Sequence, residues 1–174
     1  MASNLRRCSD ACEITCWNGK KVRVAFVIDA SAREVIAHVA VTGAGISGCD
    51  VRDMMLVAIE RRFGADSAPH LVEHRSDNGS CCTAMDTRDF ARQLGLVPCF
   101  APVRSPESDG MSDAFAETLK RDDVRVTPLS GAATVLGLIP AWIDDCNTVH
   151  PHSALALRPP VELRPALAPS QTVR

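Results

Sequence analysis

Tyrosine is absent from the 174-residue chain, and aromatic residues together make up only 4% of it. That scarcity disfavours a protein that grips single strands by stacking successive bases on a row of rings. No apolar run approaches the roughly 20 residues that a bilayer span requires. The opening Met-Ala-Ser-Asn-Leu-Arg-Arg-Cys has no apolar stretch behind its two arginines, so neither a membrane segment nor a secretory leader is expected. A charge excess is missing too. Nineteen basic and 21 acidic side chains leave a net charge of -2, a weak argument against indiscriminate nucleic-acid binding. Patches matter more than totals, however. Arg6, Arg7, Lys20, Lys21 and Arg23 make the first 25 residues locally basic, opposed only by Asp10 and Glu13. Internal repeats and low-complexity tracts are not seen.

What remains is an ordinary globular composition, 46% hydrophobic and 23% charged, of a length that suits one domain. Eight cysteines without a leader point to free thiols in a reducing cytoplasm. Val22–Ile28 and Val35–Val41 are rich in β-branched residues and are joined by a short polar link, which predicts a hairpin. Arg7–Thr15, closed by Asn18-Gly19, predicts a strand before them, and the three together predict an antiparallel meander. Helical spacing follows over Cys49–Phe63, with Ser47 or Asp50 as cap and Gly64 as stop. Short strands are expected at His70–Arg75 and Leu96–Phe100. Helices are expected at Thr83–Leu94, Gly110–Val124 and Ala132–Cys146, the last kinked or broken at Pro140. The order predicts an α/β fold, a mixed sheet with helices packed on it. We expect a core over residues 1–148 and a loop and tail over 149–174, loosest in the last ten residues.

The carboxylates carry the chemistry. Asp10 lies within the first strand. Asp77 closes the fourth, immediately before Asn78-Gly79, and Asp113 falls in the first turn of the helix expected from Gly110. Strand ends followed by tight turns are where α/β sheets expose functional groups. Three carboxylates from separate elements could converge on hard divalent cations. A plainer reading stands beside this one: Asp77 as a turn former and Asp113 as a favourable charge near a helix start.

Asp77-Asn-Gly-Ser80, then Pro102-Val-Arg104 with Gly110-Met-Ser-Asp113-Ala-Phe115, then Leu119-Lys-Arg-Asp122 resemble the catalytic core of insertion-sequence family three transposases. Arg7-Cys-Ser-Asp10, Trp17–Phe26 and Cys146–Leu155 fit the opening strands and the closing segment of that family. The likeness runs from about residue 6 to 163. It implies an RNase H-like, retroviral-integrase-like fold with five strands. It also implies a catalytic and metal-binding triad of Asp10, Asp77 and Asp113, with 35 residues (78 through 112) between the last two. The resemblance further implies two Mg²⁺ or Mn²⁺ ions, cleavage and strand transfer of double-stranded DNA, and a bacterial, nucleoid-associated location. Arg104, Lys120 and Arg121 are the expected phosphate contacts. A separate or upstream DNA-recognition domain and a homo-oligomer are the expected partners.

Departures from the family pattern motivate an alternative, an impaired remnant that binds DNA or a partner transposase without catalysis. The third acid is normally glutamate, and losing one methylene draws the carboxylate back by roughly 1.5 Å. Glu117, one turn further along, is a candidate substitute ligand, against the plainer reading of a solvated helix acid. Cys82, Asp123 and Cys146 stand where relatives often carry tyrosine. Cys8, Cys12 and Cys16 share a strand face and suggest a zinc site only weakly, since no Cys-x-x-Cys pair occurs. Cys81-Cys82 read as core or surface thiols. His150-Pro151-His152 reads as a structured loop in preference to a ligand pair.

Overall fold

A computed structural model describes residues 3–43, 45–77, 79–100 and 106–163. Its strands are β1 (Arg6–Thr15), β2 (Lys21–Asp29), β3 (Val35–Thr42), β4 (Val72–Ser76) and β5 (Leu96–Phe100). They form one sheet in the order β3-β2-β1-β4-β5. β1, β2 and β3 are antiparallel neighbours, while β4 lies parallel to β1, and β5 parallel to β4. The predicted meander and mixed sheet are therefore both present. The chain must cross over to add each parallel strand, and helices make those crossings.

The first crossing is α1 (Gly48–Phe63). Ser47 caps it: its hydroxyl accepts from the Asp50 N–H at 3.2 Å, and Asp50 accepts from the Ser47 N–H at 2.7 Å. Such a reciprocal pair satisfies two donors that a helix start leaves open. Gly64, at φ 65°, ends the helix in the left-handed region. The helix expected at Thr83–Leu94 is two pieces, α2 (Ser80–Thr83) and α3 (Met85–Gln93), because Ala84 is extended at ψ 140°.

α4 spans Pro106–Leu119 and continues as a π-helical turn, Lys120–Val124. It begins four residues before the expected Gly110, so Asp113 lies two turns inside the helix rather than in its first turn. α5 (Ala132–Thr148) continues through Pro140, so the helix is not broken there. The proline removes one backbone donor. Val135 and Ile139 before it and Trp142, Ile143 and Cys146 after it are all buried, and this apolar anchoring on both sides of the proline offsets the lost bond.

The sheet is covered on both sides. Ile14, Val24 and Phe26 pack with Leu119 of α4 and Ile139 of α5, and the Phe26 and Phe115 rings meet edge to face at 4.7 Å. On the other side Ala25, Val27 and Ala37 pack against Met54 and Ala58 of α1. Burying each such Leu, Ile or Phe contributes about 1.5–3 kcal/mol. Beyond α5 come two 3₁₀ turns, Ser153–Leu155 and Pro160–Leu163, in which Leu155 and Pro160 are buried. The tail expected to be loose lies outside the described residues.

Candidate active site

Strand register brings the first two aspartates together. The last pair in the β1–β4 ladder is Ser9 with Ser76, so Asp10 and Asp77 are the next residues along neighbouring parallel strands, whose usual spacing is about 4.8 Å. The Ser9 hydroxyl donates to the Arg75 carbonyl at 3.3 Å and ties the strands at this point. Asp10 and Asp77 both line a small cavity of about 60 Å³, closed on one side by Val51 and Met54 of α1 and on another by Cys81 and Cys82. No basic side chain lines it among the described residues.

Local backbone aims each carboxylate. The Ala11 N–H donates to Asp10 Oδ1 at 2.7 Å, and the Gly79 N–H donates to Asp77 Oδ1 at 3.2 Å. The second contact is an Asx turn, in which the side chain bonds the backbone two residues on. Gly79 allows this closeness, because a Cβ there would stand 3.0 Å from Asp77 Oδ1. The Cys82 thiol is pushed up to about 12 by burial first, then by Cys81 and Asp77, so it borders the acids as a neutral group. The Cys81 and Cys82 sulfurs are 3.8 Å apart.

Asp113 stands apart from that pair. It is exposed on α4 and does not line the cavity. Among the described residues no three His, Cys, Asp or Glu side chains gather closely enough to hold a metal ion. Helix geometry puts Lys120, seven residues on, along the same stripe of α4 as Asp113. Burial pushes the Cys12 thiol up to about 11; the Lys120 charge opposes that shift and the Asp10 charge adds to it. Lys120 and Asp10 thus both approach Cys12. Glu117, the candidate substitute ligand, is exposed, and its charge reaches Arg121 one turn on. Arg121 donates twice to Asp122, at 2.6 and 2.8 Å. Arg104 lies outside the described residues, as does Asn78.

The basic N-terminal stretch does not form an open patch. Arg6 pairs with Glu73, and Lys21 and Arg23 pair with Glu13. Arg7 is fully buried, its guanidinium 5.2 Å from the centre of the Phe63 ring. Sequence reasoning missed the polar network around it. Arg7 faces Asp29 of β2 on one side and His74 of β4 on the other, and buried Arg62 of α1 bridges Glu34 at 2.8 Å and Asp29 at 3.7 Å. Burial first, and Arg62 second, pull Arg7 down to about 10 against the opposing pull of Asp29. Cys8, Cys12 and Cys16 are buried, and Cys12 and Cys16 belong to the main apolar core. Asp123 and Cys146 prove to be neighbours: burial pushes the Cys146 thiol up to about 12, with Asp123 the next cause.

An integrase core domain model matches residues 2–106, and a second of the same description matches 95–160. The chain belongs to the integrase core domain family. An insertion element IS136 protein of Agrobacterium fabrum is 61% identical over 92% of this chain and 82% of its own length. A transposase InsD for insertion element IS2A/D/F/H/I/K of Escherichia coli is 46% identical over 92% of this chain and 53% of its own length. The fold matches the HTLV-2 integrase catalytic core domain in complex with magnesium, with a TM-score of 0.67 and 12% identity over 95% of this chain and 99% of that one. It also matches the Mos1 transposase catalytic domain with raltegravir and magnesium, with a TM-score of 0.64 and 19% identity over 81% and 71%. This integrase core therefore has the RNase H-like fold.

Proposed function

We propose that the chain is the catalytic core of a DNA transposase, cutting and joining phosphodiesters at insertion-sequence ends with divalent cations. The observation that carries this reading is the β1–β4 register, which makes Asp10 and Asp77 the next residues along neighbouring parallel strands. Two carboxylates on neighbouring parallel strands supply the oxygen donors that a hard metal ion takes. The donor set fits Mg²⁺ or Mn²⁺: carboxylate oxygens, beside the Cys82 thiol kept neutral by burial. Asp10 and Asp77 would hold such ions, and Asp113 would complete the set from α4. Bound there, a pair of divalent cations supplies Lewis-acid activation of the attacking oxygen and stabilisation of the leaving oxygen.

The chain's own residues do the positioning. The Ala11 and Gly79 N–H groups fix the carboxylates before substrate arrives. Arg104, Lys120 and Arg121 are the proposed phosphate contacts for double-stranded DNA. Relatives named as transposases favour this reading over the impaired remnant. An upstream DNA-recognition domain and self-association belong to the same proposal, as does the assignment of 1–148 as the core.

The test is Mn²⁺-dependent nicking or joining of labelled element-end duplex by the purified chain. Asp77→Ala is expected to abolish it. A variant as active as the parent would remove Asp77 from the site.

A further inference from the structure

A second cavity, larger than the one beside Asp10 and Asp77, lies between α4, the β2–β3 turn and the segment after α5. It encloses about 460 Å³ and is lined by Gly110 and Ala114 of α4, by Arg121 of the π-helical turn that follows, by Arg33, and by His150 and His152. Pockets of that size hold small ligands or ligand fragments. The polar side chains that line it are mostly hydrogen-bond donors. Asp122 is the nearby acid: it accepts both bonds from Arg121 and lies 3.7 Å from His150 Nδ1. It orients those two groups and neutralises part of the Arg121 charge.

Arg33 is left uncompensated. Its guanidinium has no hydrogen-bond or ion-pair partner among the described residues, and its charge reaches His152 and Cys8. Its backbone sits at φ 60°, where glycine or asparagine would be at ease. A non-glycine residue held in that region is a reason to look for function. Here a hairpin turn accepts the strain and presents an unpaired arginine, half-buried, to a cavity. Arginine's planar fork suits phosphate oxygens.

We propose that this cavity is a phosphodiester-binding subsite for the DNA strand that runs along α4 away from Asp113. It rests on the reading of the chain as a DNA-joining core. Arg121 lies eight residues beyond Asp113, or about 12 Å along a helix rising ~1.5 Å per residue. That span matches roughly three to four nucleotides of a B-form strand. Arg33 is the main charge contact, and His150 and His152 are neighbouring donors.

The test is equilibrium binding of a fluorescein-labelled duplex, by anisotropy at several salt concentrations without divalent metal. Arg33→Gly suits the left-handed backbone, so it removes the charge without threatening the fold. It is expected to weaken binding at low salt by roughly tenfold and to lower the slope of log affinity against log salt by about 0.9, one duplex phosphate contact. Arg33→Lys should keep the slope, and Arg92→Ala on α3 should leave both quantities unchanged. Parent-like affinity and slope in Arg33→Gly would overturn the subsite while leaving the transposase reading intact. A parent that binds no duplex at any salt would overturn both. A third arm titrates inorganic phosphate alone. Saturable phosphate binding lost in Arg33→Gly, with duplex binding untouched, would make the cavity a free-phosphate site and overturn the proposal.

Discussion

Asp113 ends one methylene short of the glutamate that the family pattern carries, and it does not line the cavity shared by Asp10 and Asp77. If Asp113 is the third ligand of the proposed site, its reach, roughly 1.5 Å short, limits that site. Misplacement of a reacting group by about 1 Å can lower a rate on the order of a hundredfold. Asp113→Glu is therefore expected to raise Mn²⁺-dependent joining of element-end DNA by about ten- to a hundredfold. Because Asp113 is exposed, the longer side chain should leave the melting temperature within about 2 °C, as surface substitutions usually do. Single-turnover rates of parent and variant on the same duplex decide it. Equal rates would mean that the reach of this carboxylate does not limit the reaction.

At the scale of elements, β1 explains both what the sequence pattern disclosed and what it hid. Alternation along Cys8, Cys12, Ile14 and Cys16 announces one buried face, and Asp10 stands out on it as the acid among apolar neighbours. The Asp-Asn-Gly strand end announces Asp77 in the same way. The other face reads Arg7, Ser9, Ala11, Glu13 and so resembles a solvated edge. Yet β4 and α1 cover its first half, and Arg7 and Ser9 are buried there. Nothing in a two-residue period says where a covering helix stops. The start of α4 was hidden differently, since Gly110 invites a helix start while the better signal is Pro106 as first helical residue. Arg33 was illegible because its left-handed backbone belongs to a turn whose geometry composition does not specify.

The hidden face of β1 carries a pH dependence. His74 of β4 is fully buried, neither ring nitrogen has a hydrogen-bond partner among the described residues, and burial, helped by Arg7, pulls it down to about 4 from 6.5. Between those values the unfolded chain takes up a proton that the folded chain refuses. Stability is complete above pH 6.5 and falls as pH drops toward 4. At about 1.36 kcal/mol per unit, the loss is bounded at roughly 3 kcal/mol. His38 and His152, also lowered first by burial, act in the same direction. His74→Leu should flatten, without erasing, the decline in urea midpoint between pH 6.5 and 4.5. A decline as steep as the parent's would place the proton elsewhere.

For the whole molecule, the cavity at Asp10 and Asp77 sets function against stability. Two helical layers and a five-stranded sheet hold these acids side by side on adjacent strands, where the proposed cation would sit. An ion that binds only the folded chain adds stability by mass action, about 2.7 kcal/mol at a hundredfold excess over its dissociation constant. For a chain of this length that is a rise in melting temperature of roughly 5–10 °C. Mn²⁺ should therefore raise the thermal midpoint of the parent and leave that of Asp10→Asn or Asp77→Asn nearly still. This readout needs no DNA and no turnover, so it separates metal binding from catalysis. Asp113→Asn adds a finer comparison. If the α4 carboxylate shares in holding the ion without DNA, its loss should shrink the Mn²⁺ shift. If α4 joins the metal only when a strand is bound, Asp113→Asn should keep the full shift and lose activity. Asp113 does not line the cavity beside Asp10 and Asp77, which argues for the second outcome.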